Sequence, residues 1–180
     1  ISELGMTESQ LGMVSAFYFM PVAILAIVIG RALDKYSVKN FMMIGAIIYA
    51  IGLFSLSFIN SYWSLLTIYL TILALGSIMM GNLAVAKLIS NWFDKNAGRA
   101  LGIAAVGISF SGVVLPLVVD PLLDLVGWRN VYVIFASVIL FIILPLIFFT
   151  VIDDPKSVNQ AKDGIKRENE EESLPQEMTA

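Results

Sequence analysis

The stretch GRALDKYSVKN, Gly30 to Asn40, gathers Arg31, Asp34, Lys35 and Lys39 into one short loop, while residues 9–30 before it and 40–86 after it hold no Lys, Arg, Asp or Glu. A lone acid among bases, next to a glycine, has the chemistry of a switchable contact. Gly30 has no side chain to hold off a neighbouring backbone, and Asp34 can face the positive N-terminal end of another helix. Such a contact forms in one conformation and breaks in another, which makes Gly30, Asp34, Lys35 and Lys39 a candidate conformational latch. The same charges equally suit a plain loop that anchors the chain and sets its topology. Covalent chemistry has few carriers, because Cys and His are both absent. That removes disulfides, thiol nucleophiles, zinc ligation by those side chains and imidazole acid–base work. No span pairs carboxylates or sets a nucleophile beside a base, and no Gly-rich nucleotide loop is present. Neither an enzyme nor a nucleotide-driven pump is expected, and no cofactor, metal or nucleic-acid partner.

Inside the apolar stretches a few polar points remain. Tyr18, Asn82 and Ser109 are the candidates to face a solute. A buried amide such as that of Asn82 must find a partner or water, and an interhelical hydrogen bond satisfies it as well as a substrate does. Lys87 reads as a snorkelling anchor. Gly102, Ala105, Ser109, Gly112 and Pro116 recur at helical spacing and share one stripe, with Gly107 adding to the small-residue content of the segment. A small stripe suits close helix packing in lipid, or sliding against a partner helix during alternating access.

The elements that must position these residues are membrane spans. The chain has 180 residues, 58% hydrophobic and 14% charged, with a mean hydropathy of +0.86. A core of that size cannot hide so much apolar surface, so the solvent of most of the chain is lipid, which makes lipid itself a partner. A hydrocarbon layer of about 30 Å needs roughly 20 helical residues. Five segments reach that length, at about 11–30, 41–58, 62–86, 100–119 and 130–151, and their unbroken apolar runs read as helices and not barrel strands. The fold class is all-α integral membrane, with a transmembrane bundle over 11–151. Thr7 and Gln10 carry capping-box spacing at its start.

Bases set the orientation. Arg31, Lys35, Lys39, Lys87, Lys95, Arg99, Lys156, Lys162, Lys166 and Arg167 fall on one side of the predicted spans and Arg129 alone on the other. The positive-inside rule then makes the first side cytoplasmic, residues 1–10 an external segment, and the plasma membrane the location. Trp63, Trp128 and Trp92 sit at predicted span ends, as an aromatic belt would place them. Residues 153–180 hold eight acids and four bases, and the segment 152–180 is expected to be a charged cytoplasmic linker or tail, mostly disordered, with short helical turns. An external start without a signal peptide points to one further span ahead of Ile1.

The loop Gly30-x-x-x-Asp34-Lys35-x-Ser37-x-Lys39 resembles the loop between helices two and three of the major facilitator superfamily, whose pattern is G, x, L, A, D, R/K, x, G, x, R/K, R/K. Ala32, Ser37 and Asn40 depart from it. The stretch NWFDKNAGRALGIAAVGISFSG, through Trp92, Phe93, Lys95, Arg99, Ala100, Gly102, Ala104, Gly107 and Gly112, resembles the start of helix five in the monocarboxylate-porter and oxalate/formate-antiporter branches, and GWRNVYVIFA at Gly127–Ala136 resembles their sixth helix. The resemblance implies five helices of an incomplete six-helix amino-terminal half, helices two to six of a twelve-helix transporter, partnered by a first helix and a carboxyl-terminal half. It implies transport of a small solute, such as a monocarboxylate, by symport or antiport, with Asp34 and Lys39 latching chiefly against the carboxyl half. Helix four of that superfamily often carries an Arg tied to proton coupling, and TIYLTILALGSIMMGN has none. The competing function is a small multi-span anchor or assembly protein with a charged tail.

Overall fold

The computed structural model describes residues 7–164. Residues 1–6 of the expected external segment and 165–180 of the expected tail lie outside the described residues. Helix α1, Glu8–Leu33, starts on the anticipated capping box: the Thr7 hydroxyl accepts from the Gln10 amide at 3.3 Å and the Gln10 side chain accepts from the Thr7 amide at 3.0 Å. Two of the backbone amides that a helix start leaves without a partner are thereby satisfied. Helix α2 spans Val38–Leu56 with Ser37 as its N-cap.

The third run, Tyr62–Trp92, is built from α3 (Tyr62–Ile68), a π-helical turn (Tyr69–Leu73), α4 (Ala74–Met80) and α5 (Asn82–Trp92). One threonine just before its π turn and one within it donate their hydroxyls back to carbonyls one turn earlier, Thr67 to Trp63 at 2.8 Å and Thr71 to Thr67 at 2.6 Å. Those bonds compete with the regular ladder and loosen it. Gly81 breaks the run between α4 and α5, and a Cβ there would collide with the Ser77 carbonyl.

The fourth run, Ala97–Thr150, comprises α6 (Ala97–Val138), a second π turn (Ile139–Ile143) and α7 (Leu144–Thr150). Pro145 explains this π turn, since it has no N–H to give the carbonyl of Phe141. Four helical runs are therefore long and apolar enough to cross a membrane among the described residues, which corrects the expectation of five. The segments expected as separate spans at 100–119 and 130–151 belong to one helical run, with no loop between them. The change of direction assigned to residues 120–129 is taken by a single residue, Gly127, at φ 75° and ψ 159°. Left-handed φ costs a glycine nothing, so Asp120 to Val126 stay helical. The Asn130 side chain donates to the Val126 carbonyl at 2.8 Å across the break.

Helix α2 is the centre of the packing. Of its apolar window 39% is buried, against 11% for α1. It lies on α4 so closely that a Cβ on Gly45 would come within 2.7 Å of Met79 and one on Gly76 within 2.7 Å of the Tyr49 backbone nitrogen. Small residues permit that approach, which in lipid is held by dispersion contacts. Ala46, Ala50, Leu56, Ala74 and Ala84 are fully enclosed around the same seam.

Candidate functional site

The knot is assembled from two helix ends. Helix α1 closes on Asp34, whose amide donates to the Gly30 carbonyl at 3.2 Å. Three residues later Ser37 opens α2 by accepting from the Asn40 amide at 3.1 Å. The serine that departs from the superfamily pattern is thus an N-cap, which a glycine side chain cannot supply.

The carboxylate of Asp34 meets Lys87 of α5, Nζ to Oδ1 at 2.6 Å, with side-chain exposures of 65% and 32%. Its partner in this structure is therefore a residue 53 positions away in the same chain. The other members of the knot do not converge on it. The Lys39 ammonium stands 4.9 Å over the Phe148 ring, while its backbone amide donates to Asp153 Oδ1 at 2.7 Å. Lys35 is exposed. A Cβ on Gly30 would touch only Leu83, at an ordinary 3.8 Å, so no backbone presses on it.

Among the polar points, Tyr18 donates its hydroxyl to Ser77 Oγ at 2.6 Å, and Ser77 in turn donates to the Ala74 carbonyl at 2.9 Å. The Tyr18 ring stands edge-on to Tyr69 with centroids 6.1 Å apart. Tyr18 and Ser77 thus form a polar bridge between α1 and α4. Asn82 is exposed at the first residue of α5, beside the Gly81 break. The Ser109 hydroxyl donates weakly to its own helix, to Ala105 at 3.4 Å.

The small stripe on α6 is uncovered. Gly102, Ala105, Ser109, Gly112 and Pro116 are exposed, and a Cβ on Gly102, Gly107 or Gly112 would meet nothing within 4 Å. Close packing falls to Gly45, Gly52 and Gly76 instead, where added Cβ atoms would sit within 2.7–2.8 Å of a neighbour.

Four participants escaped the sequence reading: Lys87 as a pairing base, Ser77, Asp153 and Asp163. Lys87 carried a signal, being the first charge after Lys39 in the chain. Asp153 and Asp163 carried little, since their partners are backbone amides that any sequence supplies.

No solved structure is similar to this chain at a significant level. Among characterised proteins, it is 28% identical over 140 residues to an MFS-type transporter of an Ophiocordyceps species, a match covering 78% of this chain and 31% of that protein. It is 30% identical over 101 residues to a fujikurins efflux protein of Gibberella fujikuroi, covering 56% and 22% respectively. A riboflavin transporter of Saccharomyces cerevisiae matches at 24% over 112 residues, 61% of this chain and 21% of that protein. The chain thus spans less than a third of the length of these relatives. The family model described as Major Facilitator Superfamily matches residues 1–174, and a match running through every element above shows that the chain belongs to that superfamily.

Proposed function

We propose that this chain is the amino-terminal part of a secondary transporter that moves a small organic solute by alternating access, with Asp34 and Lys87 as a pair that opens and closes during the cycle. The superfamily comprises membrane transporters, not enzymes, and the chain is multi-pass. The carrying observation is the 2.6 Å ion pair between the end of α1 and α5. An exposed pair contributes under about 1 kcal/mol to static stability, so its position between two separately anchored helices matters more as a switch than as glue.

The finer reading follows from the residues already described. The solute is a small organic anion such as a monocarboxylate, suggested by the helix-five resemblance. The names of two relatives, which mention fujikurins and riboflavin, support organic cargo in general. Tyr18, Asn82 and Ser109 line the solute path. The α6 stripe of Gly102, Ala105, Gly107, Gly112 and Pro116 faces partner helices that belong to a preceding segment and a carboxyl-terminal half. The knot, the loop at Lys95 and residues 152–164 meet at one end of the bundle, and that end is cytoplasmic; the bases gathered there, Arg31, Lys35, Lys39, Lys95, Lys156 and Lys162, support this.

The test is a charge exchange in the transporter that contains this chain. Asp34→Asn and Lys87→Met should each insert and fold normally yet lower solute flux in proteoliposomes by up to about fivefold, the effect of losing under about 1 kcal/mol in a single state. Asp34→Lys combined with Lys87→Asp should recover most of the flux. Unchanged flux in both single variants would remove the switch, and failure of the exchange to rescue would leave Asp34 acting on something other than Lys87.

A further inference from the structure

At the end of the bundle that carries the knot, residues 152–163 fold back over three helix ends at once. Asp153 Oδ1 accepts from the Lys39 amide at the start of α2, 2.7 Å away and 114 residues earlier in the chain. The carbonyls of Asp153 and Ile152 accept from the Asn91 side chain at 3.1 Å and the Trp92 indole at 2.7 Å, both in the last turn of α5. Lys162 donates to the Ser90 carbonyl at 3.1 Å, where a helix end leaves acceptors free. The Asp163 carboxylate accepts from three consecutive backbone amides, Asp94 at 3.2 Å, Lys95 at 2.9 Å and Asn96 at 3.2 Å, in the loop that precedes α6. Within the segment, Pro155 is fully buried and its carbonyl accepts from the Gln160 amide at 3.0 Å, which makes the two ends of the fold-back one body.

We propose that residues 152–163 are a releasable strap, which holds the start of α2, the end of α5 and the loop before α6 as one unit and must let go before this end of the bundle can open. Its bonds make it releasable. Most of those to the bundle are exposed to water, where each adds little net stability. Asn159 and Asp163 turn the segment at φ 55° and 61°, a left-handed conformation that Asn and Asp adopt more readily than other side chains. Beneath the strap lies a cleft of about 670 Å³, lined by Asn91, Asp94, Lys95, Asp154, Lys156 and Lys162 among others, so the segment bridges the surface and does not fill it. Because the strap grips α5 one turn from Lys87, it also fixes the base of the Asp34 pair.

What the strap controls rests on the transport reading above; the strap itself does not, and is tested without transport. The full protein that contains this chain, reconstituted in lipid nanodiscs, is compared by residue-resolved amide hydrogen exchange with Asp163→Ala, Asp153→Ala and the double variant. The bonds of half-buried Asp163 lie at the surface, which gives no reason for misfolding, and Asp163→Asn, which keeps an acceptor oxygen, provides a milder second variant. A single body predicts remote effects. Asp163→Ala should raise exchange at the Lys39 amide by about tenfold, Asp153→Ala should do the same at residues 94–96, Asp163→Asn should do less, and the double variant should exceed neither single variant appreciably. Effects confined to the amides that each carboxylate touches, additive effects, or no effect would each overturn the strap, whatever the outcome of the flux measurements.

Discussion

Asp163 shows how a residue without any sequence motif acquires a defined chemistry. The amide of Lys95 does most to hold its carboxyl below the usual carboxylate range; desolvation opposes it, and the amides of Asn96 and Asp94 with the Asn96 side chain add to the lowering. A carboxylate with a depressed folded-state pKa contributes stability at pH values above its unfolded pKa, near 3.8, and that contribution is lost as pH falls through the lower folded value. The contact should therefore be constant from neutral pH down to about pH 5 and fail only below about pH 4. Emission of Trp92, whose indole is tied to the same segment through Ile152, is the reporter. With Trp63 and Trp128 replaced by Phe, it should stay flat between those values and shift only in acid, whereas Asp163→Ala should emit at neutral pH as the parent does in acid. A shift centred near pH 6 would mean that another group governs the segment. At this scale the sequence was informative about Asp34, a lone acid in a basic loop, and silent about its partner. Charge spacing along a chain identifies a residue in need of a counter-ion; only packing decides which of the available bases reaches it.

At the scale of the helix, the small residues divide into two sets that look alike in sequence. Gly102, Ala105, Ser109, Gly112 and Pro116 keep helical register over four turns, yet nothing among the described residues covers them. Gly45 and Gly52 are seven apart on α2, and together with Gly76 on α4 they set the closest approach in the bundle. Periodicity shows that a helix has a smooth face and leaves open whether another helix lies against it. Gly76→Ala should force α2 and α4 apart, because its Cβ would stand 2.7 Å from a backbone atom that has no rotamer to move into. The cost is about 1–3 kcal/mol, read as a lower midpoint of thermal unfolding in detergent. In this chain Gly112→Ala should be within about 0.5 kcal/mol of neutral, or slightly stabilising through helix propensity. Equal losses in the two variants would show that the α6 face is covered within this chain. The span count failed for a related reason. Hydropathy marks apolar runs but not the residue at which a chain turns, and Asp120, Pro121 and Asp124 looked like a loop although one glycine at positive φ suffices.

For the whole molecule, the decisive feature is where charge is absent. Residues 9–30, 40–86, 100–119 and 130–152 contain no Lys, Arg, Asp or Glu. The one base within the Tyr62–Trp92 run, Lys87, is drawn to the knot end by Asp34. What remains along the bundle interior is hydroxyl and ring: Tyr18 bonded to Ser77, with Tyr69 beside it. A carboxylate carried to the middle of a bilayer is costly unless a cation or several strong donors meet it. Two hydroxyls already bonded to each other cannot neutralise it. On the proposed reading, with an anionic solute and this chain as part of a longer transporter, the counter-charge comes from that longer protein, and residues 7–164 contribute shape and hydrogen bonds. Isothermal titration of the purified chain with small monocarboxylates should accordingly show no saturable heat, while the transporter containing it should bind them. In that larger protein Tyr18→Phe should weaken binding by about two- to tenfold, the worth of one neutral hydrogen bond, and not abolish it. Saturable carboxylate binding by this chain alone would place the counter-charge here after all, and would direct attention to Lys87, which is half-buried and could supply it by leaving Asp34.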